Sequence, residues 1–283
     1  MKVARRRWAP WLLLAPSLAW LTLFFAYPML RAFQLAFQDE AGGWGLAAVR
    51  ETFADPRFTE ALLATLGLLA LIIPVQFALA MAMALVVNAL GRGRDWWLYV
   101  YALPLAVSEL GAGLVWFSVF TQAGWLNSVL DAFGLGPVTW LSYERPVLLV
   151  TTIVLAEAWR ATAIVMVILV AGLQAIPPDL YEAADVHGAT RWQRLRHVTL
   201  PLLRPSIRVA LILRTVLAFQ VFAIVVVLAG QGLTVLPAEA YRWYVTYENP
   251  NIAAVYAGVI LVLSLAGAGA FFALLPTREE AQQ

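Results

Sequence analysis

Apolar residues fall in six long blocks along the chain, at about 11–37, 62–90, 96–120, 147–173, 207–229 and 252–275. Shorter segments carrying most of the charge separate them. Each block exceeds the roughly 20 residues that a helix rising 1.5 Å per residue needs to cross a bilayer core. Backbone polar groups in lipid must find partners within their own segment, so each block is expected to form one continuous helix. Interior prolines at Pro16, Pro28, Pro74 and Pro104 are expected to kink these helices rather than end them. The expected fold class is therefore all-α, a polytopic membrane protein with six transmembrane helices. Lys2 and Arg5–Arg7 before the first block imitate a signal peptide. The apolar run is too long for one and no small-residue cleavage site follows it, so a retained anchor is expected.

Composition agrees and excludes much. Hydrophobic residues make up 62% of the 283 and charged residues 13%, against roughly 45–50% and 25% in soluble proteins. A soluble enzyme, a disordered tail and a nucleic-acid reader are ruled out. The only lysine is Lys2, which excludes a Walker A phosphate loop, so nucleotide hydrolysis would have to reside in another chain. No cysteine is present, excluding disulfides, thiolate nucleophiles and Cys-based metal sites. His187 and His197 lie ten residues apart without supporting carboxylates at ligand spacing, so no metal site is expected. No Ser/His/Asp constellation appears, and no catalytic residue is assigned.

Arginines orient the chain. The N-terminus, the 91–95 and 174–206 loops and the tail hold eleven Lys/Arg, whereas the loops at 38–61, 121–146 and 230–251 hold four together with nine acidic residues. The positive-inside rule places both termini and the 174–206 loop in the cytoplasm. Three stretches are expected: residues 1–60 with the N-terminal tail, first span and outer loop, residues 61–275 as the main transmembrane domain, and a cytoplasmic tail at 276–283.

The 174–206 loop has its own pattern. Pro177 and Pro178 stop one helix, and Asp179 can open a short one. Leu180, Ala183, Ala184 and His187 share one face, and Gly188 fits the left-handed position that ends a helix. Thr190 with Gln193 forms a capping box for a second helix, which Pro201 is expected to end. A helix–Gly–helix hairpin results.

Glu182-Ala183-Ala184, three residues, Gly188, nine residues, then Val198-Thr199-Leu200-Pro201 resembles the EAA motif of permease subunits in binding-protein-dependent ABC importers. Val198 stands where the family has Ile, and His187 where it often has Asp. The residues from Leu169 to Pro177, Leu103-Pro104, Trp116, Gly124-Trp125-Leu126-Asn127 and Trp140-Leu141 are similar to the sugar-permease branch, which includes the maltose and glycerol-phosphate permeases. Ala229-Gly230-Gln231-Gly232-Leu233 departs from that branch's Thr-Gly-Gly-Gly-Pro.

The resemblance implies a type I ABC importer permease fold at 61–275 in a bacterial or archaeal cytoplasmic membrane, translocating a carbohydrate. It implies a second permease subunit, two ABC ATPase subunits that bind ATP and Mg, and an extracytoplasmic solute-binding protein, with membrane lipid around them. No cofactor belongs to this chain, and no nucleic acid is a partner. The ATPase-coupling residues would be Leu180, Glu182, Ala183, Ala184, Asp185, Gly188, Thr190, Leu200 and Pro201.

Charged groups inside spans are costly and mark candidate function. Glu109, Glu157 and Arg160 qualify, with Gln220 beside them as a polar group. Glu157 and Arg160, three apart on one helix, form either an interhelical polar clamp or part of a substrate path. Gln220 lies in Phe219-Gln220-Val221-Phe222, which aligns with the cavity-lining stretch of the family's fifth helix. Trp159 and Tyr256 are either lining or packing aromatics. Arg208 is expected to snorkel to the headgroups, and Arg214 either does the same or lines an exit path. An ion-coupled secondary transporter, a membrane-embedded enzyme and an importer of another polar solute are the competing readings.

Overall fold

The structure, a computed structural model, describes residues 2–38 and 42–275, with side chains from residue 10 onward. The tail expected at 276–283 lies outside the described residues. Along the chain, α1 (Lys2–Leu21) runs through a π turn (Thr22–Ala26) into α2 (Tyr27–Ala36), and a short α3 (Ala47–Ala54) precedes the long α4 (Pro56–Ala89). Then come α5 (Arg94–Ala102), a 3₁₀ turn (Leu103–Ala106), α6 (Glu109–Phe120), α7 (Trp125–Ala132) and α8 (Pro146–Gln174). After them follow α9 (Pro178–Val186), α10 (Arg191–Arg194), a second π turn (Leu195–Thr199) and α11 (Leu200–Ala218). The last three are α12 (Ala223–Ala229), α13 (Leu236–Val245) and α14 (Pro250–Leu274). Among the described residues the only β-type pairing is a single bridge between Gln38 and Trp44.

Four helical stretches are long and apolar enough to cross a membrane unbroken: Pro10–Ala36, Pro56–Ala89, Pro146–Gln174 and Pro250–Leu274. The third and fifth blocks differ from the single rods expected of them. Arg94–Ala106 and Glu109–Ala132 meet at 93°, and Arg191–Ala218 and Ala223–Ala229 at 54°. Counting each bent pair as one span gives six. Pro104 does not merely kink its helix: it sits in the 3₁₀ turn, Val107 is extended, and Ser108 starts α6 afresh by accepting the Gly111 amide at 3.0 Å. At the second break the freed amides of Phe222 and Ile224 both reach Glu109 Oε1, at 2.7 and 3.3 Å. Non-helical backbone is tolerated at membrane depth when such a partner satisfies it.

Pro201 also departs from expectation. It does not end the second helix of the hairpin, because Arg191–Ala218 is one helical rod. Proline lacks an N–H and its ring clashes with the carbonyl four residues back. The π turn just before it widens the spiral, with the Leu200 amide donating to Leu195 O, and so accommodates the ring.

The chain divides into two compact units. In the one formed by residues 60–238 with 260–275, Ile72, Ala112, Ile153, Ile224 and Val225 pack α4, α6, α8 and α12 together. A second cluster of Ala80, Ala84, Met166, Leu169, Leu203 and Ala210 packs α4, α8 and α11. Small residues let membrane helices approach closely. Gly113, for example, backs onto Val227 and the Ile224 backbone, so even a methyl group there would be crowded. In the other unit, residues 2–38 and 42–59 with 239–259, Tyr256 is fully buried and meets Phe58 at 5.7 Å, while Arg242 pairs with Glu239 at 2.9 Å.

Candidate functional site

The hairpin of α9 and α10 is built from local chemistry. Gly188 has φ of +72°. The Gly188 amide donates to Asp185 O at 2.9 Å and the Ala189 amide to Ala184 O at 3.0 Å, the two bonds of a Schellman helix end. The capping box forms in full: Gln193 N–H donates to Thr190 Oγ1 at 3.3 Å, and Thr190 N–H to Gln193 Oε1 at 2.8 Å. Arg194 pairs with Asp185 at 2.9 Å, and the hydroxyls of Tyr181 and Thr199 lie 3.3 Å apart. Both contacts close the two arms on each other.

This arrangement leaves one face uncovered. Leu180, Glu182, Ala183, Val186 and His187 are exposed, and Ala184 is half-buried. Leu200 and Pro201 sit apart from that face, half-buried in the rod. Beside the hairpin, Leu85, Asn88, Leu173, Tyr181, Arg191 and Arg194 line a cavity of about 680 Å³. His187 Nδ1 lies 2.8 Å from Ala183 O and His197 Nδ1 3.0 Å from Gln193 O, each on its own helix. Among the described residues no cluster of three metal-ligating side chains occurs.

Deeper in the same unit, Glu157 is fully buried and two arginines hold it. Arg160 donates Nε to Oε2 at 3.1 Å and Nη2 to Oε1 at 2.9 Å. Arg214 donates Nη2 to Oε1 at 2.8 Å. Neither a headgroup nor an exit path explains Arg214, because only 1% of it is exposed. Its Nε donates to Gln76 Oε1, and Gln76 Nε2 donates to the Glu157 backbone carbonyl at 2.7 Å. Side chains from α4, α8 and α11 thus converge on one residue, Arg160 and Arg214 on its carboxylate and Gln76 on its backbone carbonyl. Gln76 was a missed partner, although a lone amide within the apolar Leu71–Phe77 stretch was its visible signal. The Arg208 guanidinium lies 4.1 Å from the Phe272 ring centre and donates to Leu275 O at 3.3 Å.

The α11–α12 break lies five residues above Arg214. Phe219 there is buried against Leu69 and Ala218, Phe222 is half-buried, and Gln220 is exposed. Glu109 is thus brought to the break as its cap rather than to the Glu157 cluster. Trp159, 39% exposed, meets Trp116 edge to face at 6.0 Å. Both line a 380 Å³ cavity with Met83, Tyr101, Pro104 and Thr162. Trp116 stacks on Phe120 at 5.3 Å, and Phe120 meets Trp140 at 5.8 Å. Tyr256 lines neither cavity.

A buried amide organises the 121–141 segment. Asn127 Nδ2 donates to Val138 O at 2.9 Å and Gln122 O at 3.1 Å. Its Oδ1 accepts from Val138 N at 2.9 Å and Trp140 Nε1 at 3.0 Å.

Comparison with known proteins agrees with this architecture. Residues 7–278 match the family described as binding-protein-dependent transport system inner membrane component. The chain is 32% identical over 245 residues to the trehalose/maltose transport system permease protein MalF of Thermococcus litoralis, a match covering 83% of this chain and 82% of that one. It is 32% identical over 239 residues to the sn-glycerol-3-phosphate transport system permease protein UgpA of Agrobacterium fabrum, covering 82% and 79%. A bacterial alginate ABC transporter, solved in complex with its alginate pentasaccharide-bound periplasmic protein, contains a chain that superposes with a TM-score of 0.84 at 25% identity, covering 96% of this chain and 97% of that one. The all-α importer-permease fold expected from the sequence is the fold observed. With a family match running almost end to end over this helical bundle, the chain belongs to the binding-protein-dependent transport system inner membrane components.

Proposed function

We propose that the chain is the permease subunit of an ATP-driven importer for a carbohydrate, forming half of the translocation path beside a second permease. Two ATPase subunits bind ATP and Mg and carry out hydrolysis, and an extracytoplasmic binding protein delivers the solute. Both termini and the hairpin face the cytoplasm, in keeping with the arginine distribution. The carrying observation is the α9–α10 hairpin. Its Schellman end and capping box fix its shape, one apolar face is uncovered, and its second arm continues unbroken into the bundle as α11. A hairpin of this size has no core of its own, so the uncovered face needs a partner. Displacement of that face reaches the bundle along a rod rather than through a loop.

Carbohydrate is favoured by the names of the relatives and by the lining chemistry. Indole faces such as Trp159 cover the apolar faces of sugar rings, and an exposed amide such as Gln220 suits hydroxyl groups. Cysteines introduced at Ala183 or Ala184 test the coupling role, since the chain has no native cysteine to interfere. They should cross-link to an ATPase subunit in native membranes. Cross-links only to lipid or to a non-ATPase protein overturn the reading. Uptake assays with di- and oligosaccharides, glycerol phosphate and a polyamine then decide the solute class.

A further inference from the structure

We infer that Arg214 is a positioning residue that pins α11 to a frame made by α4 and α8, so that displacement of the hairpin is delivered to the Phe219–Phe222 break. The inference rests on the importer reading above.

Three observations combine. First, α4 and α8 are tied to each other independently of α11, because Gln76 Nε2 donates to the Glu157 backbone carbonyl at 2.7 Å. Second, Arg214 engages both members of that frame at once, Nε on Gln76 Oε1 and Nη2 on Glu157 Oε1. A planar guanidinium held at two points fixes direction as well as distance, which a single ammonium contact does not. Third, α11 joins the hairpin to the break with Arg214 near its upper end. Below Arg214, α11 packs on the frame through Leu203 and Ala210 against Ala80, Ala84 and Leu169. Aliphatic contacts of this kind are non-directional and allow sliding. Arg214 is the directional contact.

Burial of the charge adds weight. Replacing a whole buried ion-pair cluster by well-packed apolar residues of similar volume is often neutral or stabilising, since desolvation offsets much of the attraction. An arginine with 1% exposure is therefore poorly explained by stability alone. Fixing one register of α11 explains it.

The test uses the complete transporter, purified through a tag on this chain and reconstituted with its binding protein, and reads solute moved per ATP hydrolysed. In Arg214→Met, Glu157 keeps Arg160 as counter-ion. Binding-protein-stimulated ATP hydrolysis should persist within about twofold while solute moved per ATP falls about tenfold, an ordinary size for coupling between sites. Arg214→Lys keeps the charge but replaces the rigid planar fork with a flexible point charge that fixes no direction, and should lose part of the coupling while assembling normally. If Arg214→Met fails to assemble, the Lys variant decides. Arg208→Met, on the same helix but outside the cluster, should keep the wild-type ratio. A wild-type ratio in the Arg214 variants that assemble, or a parallel loss of hydrolysis and uptake in them, overturns the inference. Failure of the unmutated chain to associate with any ATPase would instead overturn the importer reading.

Discussion

Glu109 Oε1 accepts the backbone amide of Phe222 at 2.7 Å across 113 residues of sequence. One carboxylate on α6 thereby makes the break between α11 and α12 affordable in a membrane. Glu109→Ala leaves the Phe222 and Ile224 amides without this partner and should destabilise the chain by about 1–3 kcal/mol. Glu109→Gln retains an accepting oxygen and should lose less. Thermal unfolding in detergent measures both, and equal melting of all three proteins would show that the cap is dispensable.

Gln220 is exposed at that break. If it meets a solute hydroxyl, Gln220→Ala should weaken apparent affinity by about 1–3 kcal/mol, or roughly 5- to 150-fold. Basal ATP hydrolysis and assembly should be unaffected. An unchanged concentration dependence of uptake assigns Gln220 to packing or lipid.

Gly188 holds φ of +72°. A β-branched residue is strained there by about 1–3 kcal/mol, so Gly188→Val should abolish uptake and loosen ATPase association while the chain still inserts. Asn visits this backbone region far more readily, so Gly188→Asn should keep much of the uptake. Equal transport by the two variants would separate hairpin geometry from coupling.

Asn127 ties residues 122, 138 and 140 together. Asn127→Ala removes these bonds and should open the segment at a cost of about 1–3 kcal/mol, read as faster proteolysis of 121–141 in right-side-out vesicles. Gly124→Ala should act in the same direction, because a Cβ there would lie 2.6–2.8 Å from three carbonyl oxygens. Protease resistance equal to the unmutated chain in both variants would dismiss the clip.

Reporter fusions at Glu51 and Tyr143, both exposed, should report the outer side, following the eleven-to-four distribution of Lys/Arg. An internal signal at either position breaks the six-span topology.

What could be read from the sequence was what neighbours in sequence decide. The hairpin was legible because Gly188, Thr190 and Gln193 act on amides within a few residues of themselves. The intrahelical pairing of Glu157 with Arg160 was legible for the same reason. The two breaks were not, since hydropathy does not register whether a backbone amide is satisfied by its own helix or by a carboxylate 113 residues away. Arg214 was visible as a charge in a span, but its partners lie 57 and 138 residues distant on two other helices. Pro201 was misread because its cost was judged against an α-helix, whereas the preceding turn adopts the wider π geometry.

The continuous rod from Arg191 to Ala218 sets a gear ratio. At 1.5 Å per residue, the arm below Arg214 is about 35 Å long and the arm up to Gln220 about 9 Å. A rigid tilt about Arg214 therefore reduces travel about fourfold and multiplies force by the same factor. A hairpin shift of about 4 Å becomes about 1 Å at the break, and a hydrogen bond near 2.9 Å is lost once stretched by that much. The long arm on the hairpin side suits small, forceful movements at a polar contact rather than a wide swing.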